Sequence, residues 1–185
     1  MERRREQEQK ILDAAFEVFG TKGFYEAKMI EIAKKAEISK GTIYLYFPSK
    51  EKLYFAVNNR SFQTFLEQAR QEADRCETFQ TKLCSVARHH LSFFYETRHY
   101  PDSFWQTPHQ MPEMMESLHR FFANYHTLIA ELMEEEGLSD AVLHAKAFTG
   151  VLNGYRGDIM QNMLHESEIE QYVNFTVDLF LNGCS

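Results

Sequence analysis

The sequence predicts an all-α protein, because apolar residues recur along it at the spacing of an amphipathic helix. Ile11, Ala15 and Phe19 show this spacing in the first long segment, and the same period returns through most of the chain. Glycine or proline stands where several of these segments end, and no strand-like alternation of apolar and polar residues competes with them. The predicted helices cover residues 2–20, 29–36, 40–47, 50–74, 77–98, 113–136, 140–164 and 167–182.

The composition fits a folded protein whose basic charge is concentrated at one end. The chain has 185 residues, 44% of them hydrophobic, which is enough to bury a sizeable core. Its net charge is −7, which argues against a protein that coats nucleic acid along its whole length. However, residues 1–60 hold twelve Lys or Arg against nine Asp or Glu, whereas residues 61–185 hold eight against eighteen.

Cysteine usage and hydropathy predict a cytoplasmic protein with no membrane association. The three cysteines, Cys76, Cys84 and Cys184, are an odd number without a Cys-x-x-Cys pair, which is typical of a reducing compartment. No stretch approaches the roughly 20 apolar residues that a membrane-spanning helix needs.

The segment from Ile32 to Pro48 predicts two short helices joined by a tight turn. Ser39 is a good N-cap residue for the second helix, and Pro48 stops that helix. If Ile43 and Phe47 face inward at i and i+4, the outer surface carries an unusual set of residues. That set is Lys40, Gly41, Thr42, Tyr44, Leu45 and Tyr46.

This outer surface suits the major groove of DNA. A small residue allows close approach, Lys and Thr match base edges, and phenols match phosphates and thymine methyl groups. For Tyr44 and Tyr46, packing at a helix end is the competing interpretation. The segment therefore predicts a helix-turn-helix that reads double-stranded DNA.

These residues closely resemble the DNA-binding signature of TetR-family transcriptional regulators. The resemblance implies an all-α homodimer of about nine helices, with a three-helix DNA-binding head at residues 1–48. Residues 49–185 would form a ligand-binding and dimerisation domain, connected through the fourth helix at about 50–74. The resemblance is carried by Ile32-Ala33, by Ile38-Ser39-Lys40-Gly41-Thr42-Ile43-Tyr44-Leu45-Tyr46-Phe47, by Ser49-Lys50-Glu51-Lys52-Leu53 and by Phe19-Gly20-Thr21-Lys22-Gly23-Phe24.

The resemblance also implies a set of DNA contacts, with two departures from the family pattern. Lys28-Met29 stands where the family usually has a Thr pair, so a phosphate contact there would come from Lys28. Glu37 stands where the turn usually has Gly, which implies either a strained turn or a changed angle between the helices. The expected DNA-binding residues are Lys28, Ser39, Lys40, Gly41, Thr42, Tyr44, Leu45, Tyr46 and Lys50.

Large adaptable apolar residues in the C-terminal part suggest a pocket for a small apolar or aromatic effector. For each of these residues, ordinary core packing is the competing interpretation. The expected ligand-binding residues are Tyr95, Trp105, Met111, Met115, Phe122, Tyr125, His126 and Tyr155. The last predicted helix is apolar on more than one face, which favours a paired helix interface in a homodimer. The expected interface residues are Val151, Tyr155, Phe175 and Leu179.

The sequence thus predicts a transcriptional regulator that leaves a palindromic operator when its effector binds, with no cofactor. A ligand-independent dimeric DNA-binding protein stays open as an alternative. A helical di-iron enzyme is a remote one, since Glu96-x-x-His99 and Glu116-x-x-His119 match that spacing. With eight His among many Glu, two such spacings are no more than chance supplies. No nucleophile with a matching base is apparent, so no enzyme activity is expected.

Overall fold

A computed structural model describes residues 2–100 and 112–183, and the predicted all-α fold is confirmed for these residues, which contain no strand. Between these two ranges, Pro101, Pro108 and Pro112 leave room for at most a short helix, and residues 101–111 lie outside the described residues. The helices are α1 (Glu2–Glu26), α2 (Met29–Lys35), α3 (Lys40–Tyr46), α4 (Lys50–Asp74), α5 (Phe79–Glu96), α6 (Pro112–Glu135), α7 (Ala141–Gly154), α8 (Arg156–Met160) and α9 (Ile169–Asn182), with a 3-10 turn (Glu166–Glu168) before α9.

The chain divides into two compact units. The head unit contains the described residues of 1–62 and 99–119, and the bundle unit contains 63–98 and the described residues of 120–185. Helices α4 and α6 therefore contribute residues to both units. A domain boundary at residues 48/49 stays a prediction.

The head unit has its own apolar core, built by α1 to α3, the first half of α4 and the start of α6. Ile11, Phe19, Ile32, Ile43 and Leu53 are completely buried there. The Phe19 ring also meets the Tyr54 ring edge-on, with 5.0 Å between their centroids. This packing fixes the positions of α2 and α3, which are too short to be stable alone.

Gly23 interrupts α1, as its position in the sequence predicts. Its φ of 71° is a left-handed conformation that a side chain would strain. The chain turns there, and the Phe24 ring stacks against Phe19 with 6.4 Å between the centroids. This glycine therefore lets the end of the first helix close over the head core.

The turn between α2 and α3 keeps its usual geometry despite the missing glycine. Glu37 takes a φ of 57°, so the strained turn is the correct one of the two predicted alternatives. Two backbone hydrogen bonds close the helix end, from Ile38 N to Ala33 O at 3.0 Å and from Glu37 N to Lys34 O at 3.2 Å. This is a Schellman motif, in which the left-handed position normally holds Gly.

Replacing Glu37 with Gly is expected to stabilise the protein by about 1 kcal/mol. A left-handed conformation costs an L-residue roughly 1–2 kcal/mol, part of which glycine returns as greater freedom in the unfolded chain. Urea unfolding measures the change. Glu37→Ala is the control, because it removes the same carboxylate but keeps the Cβ atom. Equal stability of the Gly and Ala variants would contradict the strain.

The bundle unit surrounds the ring of Phe65. Edge-on ring contacts join it to Phe93 at 5.1 Å, Phe121 at 5.5 Å and Tyr125 at 5.2 Å between centroids. Helix α9 packs mainly against α5, and the Phe148 ring of α7 lies edge-on to Phe180 at 5.1 Å. Helices of this unit therefore meet through a dense set of aromatic contacts.

The predicted single helix at 140–164 is wrong, because Tyr155 breaks it into α7 and α8. Gly154 and Gly157 flank the break, and glycine costs a helix interior about 1 kcal/mol relative to alanine. Asn162, with a φ of 55°, then closes α8 through a hydrogen bond from Met163 N to Asp158 O at 2.8 Å. Among the described helices, none has the length and hydropathy to cross a membrane.

Candidate nucleic-acid interface

Helix α3 begins at a cap built from two hydroxyl side chains. Ser39 Oγ accepts a hydrogen bond from the Thr42 backbone N–H at 3.0 Å and shares another with Thr42 Oγ1 at 2.8 Å. An N-cap serine of this kind contributes about 1 kcal/mol. Two of the predicted DNA-binding residues thus also set the start of the helix that would carry the other contacts.

The outer face of α3 is more exposed than folding requires. Ile43 is completely buried and Phe47 is 7% exposed, as predicted, whereas Tyr44 is 42% and Leu45 80% exposed. Lys40 is exposed as well. An apolar side chain at 80% exposure gains almost nothing from the core, so Leu45 is available to a partner.

Neither packing nor backbone conformation within the head unit requires glycine at position 41. A Cβ atom there would meet only Ser39 Oγ, at an ordinary contact distance of 3.7 Å. Its backbone conformation is helical, and glycine weakens a helix. Its lack of a side chain therefore favours close approach by another molecule at the first turn of α3.

Tyr46 lies at the other end of α3 and is partly buried. Its ring packs against the head core, and the guanidinium carbon of Arg4 lies 6.0 Å from its centroid. The structure thus gives Tyr46 a packing role, which was the competing interpretation for this residue.

Lys28 stands at the start of α2 with its side chain exposed. It is the N-cap residue, with extended φ and ψ of −115° and 136°, and its side chain makes no capping bond. Met29, which replaces a hydroxyl residue of the family pattern, is 7% exposed and belongs to the head core. Where the family pattern has a hydroxyl residue, this chain therefore has a methionine that packs in the core. Lys28 is the polar side chain that remains at this site.

Lys50 has a structural role in addition to its predicted phosphate contact. Its ammonium Nζ donates hydrogen bonds to the carbonyl oxygens of Tyr25 and Ala27, both at 3.2 Å. It also lies 4.5 Å from the centroid of the Phe24 ring. Lys50 thus links the start of α4 to the end of α1 and to Ala27, which follows it.

Lys50→Met is expected to destabilise the protein by roughly 1–3 kcal/mol, because hydrogen bonds to a charged group are worth about that much. Methionine keeps most of the aliphatic length, so the loss reports on the ammonium. Lys34→Met on the exposed face of α2 is the control and should change stability by less than about 0.5 kcal/mol. Chemical denaturation measures the free energy of unfolding of both variants. Equal losses of stability in the two variants would contradict a stabilising role for the Lys50 hydrogen bonds.

The assembled geometry is a capped, anchored and outward-facing helix following a tight turn. Residues 11–57 match the profile described as bacterial regulatory proteins, tetR family. Residues 11–57 thus form a DNA-binding domain of the TetR type.

Two curated TetR-type relatives and one solved structure show how far the similarity extends. The fatty acid metabolism regulator of Bacillus subtilis is 33% identical over 92 residues, which are 50% of this chain and 47% of that protein. The chain thus spans about half the length of that relative. QacR of Staphylococcus aureus is 26% identical over 95% of this chain and 97% of its own.

The solved structure is that of FadR from Bacillus subtilis in complex with stearoyl-CoA. It has a TM-score of 0.76 and 21% identity, and covers 96% of this chain and 99% of its own. At this identity the likeness shows the fold alone. It confirms that the helical fold of that regulator extends through the C-terminal part of this chain.

In the bundle unit, the predicted ligand residue Tyr125 is 1% exposed and its hydroxyl lies 3.3 Å from His90 Nδ1. Burial raises the pKa of Tyr125 above its usual range. Burial also lowers the pKa of His90 to about 3, with smaller contributions from His89 and Arg156. Both side chains are therefore neutral at physiological pH, and they form a polar pair inside an otherwise aromatic core.

Three other predicted ligand residues are distributed over the bundle unit. Tyr95 lies under the guanidinium of Arg98, with 3.7 Å from the ring centroid to the guanidinium carbon. His126 Nε2 lies 3.0 Å from Thr149 Oγ1, and Phe122 is 37% exposed with its ring stacked on His126 at 6.3 Å.

Tyr155 packs inside the bundle unit, edge-on to Tyr172 at 4.8 Å between ring centroids. Met115 belongs to the head unit instead and is 42% exposed there. Trp105 and Met111 lie outside the described residues. Among the six described members of the predicted set, Phe122 and His126 are in contact, and Met115 belongs to a different unit from the other five.

The bundle unit has two neighbouring grooves, and the predicted ligand residue Tyr95 lines the smaller one. One measures about 330 Å³ and its neighbour about 220 Å³, and they share Arg88, Ser92 and Glu96. Arg88 Nη2 donates to Glu170 Oε2 at 2.9 Å across the smaller groove, and this ion pair lowers the pKa of the Glu170 carboxyl. Arg88 and Glu170 are 82 positions apart. Sequence periodicity carries no signal for such a pairing.

Of the predicted interface residues, Val151 lies in α7, Phe175 and Leu179 lie in α9, and Tyr155 lies at the break between α7 and α8. Phe175 is 61% exposed, whereas the other three are half-buried, with Tyr155 packed against the bundle core. Gly150 and its neighbour one turn later, Gly154, have open space where a Cβ atom would stand.

The described residues contain no candidate metal site. No group of three or more His, Cys, Asp or Glu suited to a metal ion occurs within residues 2–100 and 112–183.

Proposed function

We propose that this protein is a sequence-specific, dimeric DNA-binding regulator of transcription that acts in the cytoplasm and has no catalytic activity. The observation that carries the proposal is the outer face of α3. Lys40, Tyr44 and Leu45 are exposed on a helix whose inner face and N-cap are fully used by the fold. A rigid helix with a mixed polar and apolar outer face suits base readout in a major groove.

The proposed contacts divide by chemistry. Lys40 and Thr42 are placed at the first turn of α3, where they suit base edges, and Leu45 suits a thymine methyl group. Tyr44, Lys28 and Lys50 suit phosphates, while Gly41 allows the backbone to approach. Ser39 and Tyr46 support the helix as well as contributing contacts at its two ends.

We infer a homodimer held by the exposed faces of α7 and α9. Support comes from Phe175 at 61% exposure and from Gly150 and Gly154, whose missing side chains serve no packing within the chain. Small residues let two helices pack closely, and a two-fold axis presents the same patch twice. Two recognition helices about 34–36 Å apart would then meet successive major grooves, so the operator is a short palindrome.

We further propose that an apolar or aromatic effector releases the protein from its operator, which makes it a repressor. An acyl thioester is the first candidate, because FadR of Bacillus subtilis binds stearoyl-CoA and a curated relative regulates fatty acid metabolism. Release requires that the effector bind one arrangement of the dimer more tightly than the other.

A ligand-independent dimer is the second candidate. The observation that favours it is the dense aromatic packing around Phe65, which places Tyr125 in the core rather than at a surface. Titration of stearoyl-CoA into a preformed operator complex separates the two. Effector release predicts that operator affinity falls about 5- to 150-fold. A ligand that shifts the melting temperature but leaves operator affinity unchanged would contradict release.

Selection of bound duplexes from random DNA tests the regulator itself. We expect enrichment of a short inverted repeat, bound at least about 1,000-fold more tightly than unrelated DNA. Leu45→Ala should then relax the preference at one position in each half-site, at a cost of about 1–3 kcal/mol, without changing the melting temperature. Selection that enriches no sequence would overturn the proposal.

A further inference from the structure

We propose that the first two turns of α1 form an arginine arm that binds backbone phosphates of the operator beside the bases read by α3. The arm comprises residues 3–10, with Arg3, Arg4 and Arg5 as its guanidinium groups. This inference rests on the proposed function and adds a second contact surface to it.

The arm lies ahead of the hydrophobic core. Residues 3–10 are exposed or half-buried, and the first buried residue of α1 is Ile11. The core therefore gains little from these two turns. A polar helical extension that buries no apolar face has no folding reason to carry three consecutive arginines.

Arg4 fixes where the arm points. Its guanidinium carbon lies 6.0 Å from the Tyr46 ring centroid, which places it beside the last residue of α3. Helical spacing supports this placement, because Arg4 and Arg5 precede the buried Ile11 and Leu12 by seven residues, or two turns. Two of the three guanidinium groups thus continue the side of α1 that faces the rest of the head unit.

Three carboxylates of α1 lie on its other side. Glu6, Asp13 and Glu17 follow one another at intervals of seven and four residues, opposite the buried stripe. Two of them already have cationic partners, Asp13 with Arg60 at 2.8 Å and Glu17 with Lys35 at 2.5 Å. Glu8 is the acidic residue on the same side as Arg4, one turn nearer the core.

None of the three arginines forms an ion pair with a carboxylate in the part of the chain that the structure describes. Their charges are therefore not neutralised by such pairs, and Arg4 holds one of them beside the last residue of α3. Guanidinium groups bind phosphates through paired hydrogen bonds. Because three consecutive helix positions point in directions about 100° apart, they suit a surface of phosphates better than one base edge.

The test removes the three charges and measures the salt dependence of binding. The arm variant carries Arg3→Gln, Arg4→Gln and Arg5→Gln, and a matched variant carries Arg70→Gln, Arg75→Gln and Lys146→Gln in the bundle unit. Both lose three positive charges. Binding to the selected operator is measured between about 50 and 200 mM salt, where each lost phosphate contact lowers the slope of log K against log salt by about 0.9.

For the arm variant we expect a slope per subunit that is shallower by about two to three, with an affinity loss of 10- to 1,000-fold at low salt. Its base preference and melting temperature should match the wild type, and the bundle variant should keep the wild-type slope. An arm variant with the wild-type slope, or with a changed base preference, would overturn the inference. If the wild type itself selects no duplex, the failure lies in the proposed function, whereas a wild type that selects normally isolates the arm.

Discussion

Phe175→Asp is expected to produce a monomer that binds the operator about 100- to 10,000-fold more weakly than the wild type. In a dimer the second half-site is bound at a high effective concentration, and a monomer loses that advantage without losing any direct contact to DNA. The change should leave the affinity for a single half-site unaltered.

The size of the effect follows from where Phe175 lies. Its ring is 61% exposed on α9, so an aspartate there costs the isolated subunit little. Within a paired helix face, two symmetry-related carboxylates would be buried close together, which is strongly unfavourable. Sedimentation measures the oligomeric state, and operator titration measures the affinity.

Met163→Asp is the matched control. Met163 is 66% exposed and lies between α8 and the 3-10 turn, outside helices α7 and α9. This variant is expected to stay dimeric and to bind normally. A dimeric Phe175→Asp protein with wild-type affinity would remove α9 from the interface.

The free energy of unfolding is expected to fall by about 1.4 kcal/mol for each pH unit below 6.5 through His90 alone. Burial lowers the pKa of His90 to about 3 in the folded protein, from an unfolded value of 6.5. At pH values between these two pKa values, the imidazole of His90 is therefore protonated in the unfolded chain but neutral in the folded chain. Stability is complete above the unfolded pKa and is lost as the pH drops through this window.

His90→Phe should flatten this part of the pH profile. Since Tyr125 loses its partner at 3.3 Å, the variant is also expected to be less stable by about 1–3 kcal/mol near neutral pH. Urea unfolding at pH 7 and pH 5 gives the slopes. His119→Gln, at an exposed position of α6, is the control and should keep the wild-type slope. Equal slopes for wild type and His90→Phe would contradict the buried neutral imidazole.

The parts of the fold that depend on local chemistry were predictable from the sequence. The serine cap and Pro48 fix both ends of α3, while Gly23 and Gly137 take the left-handed φ values of 71° and 81° expected at helix ends. Apolar periodicity identified the inner face of α3 through Ile43 and Phe47. These signals act within a few residues, so one chain is enough to detect them.

Contacts between distant residues were not predictable in the same way. The Arg4 position beside Tyr46, the Lys50 hydrogen bonds to carbonyls and the ion pair of Arg88 with Glu170 join residues 23 to 82 positions apart. The break at Tyr155 was missed because apolar periodicity runs through it, although two flanking glycines weaken the helix. The predicted ligand residues were chosen by type, and type alone does not distinguish core from pocket.

In the proposed dimer, two identical heads read two half-sites of one operator. Competition between the selected duplex and a duplex with one half-site scrambled measures whether both heads are needed. We expect that scrambling one half lowers affinity by at least about 100-fold at fixed salt, because one recognition helix loses its base contacts. Equal affinity for the intact and half-scrambled duplexes would contradict it.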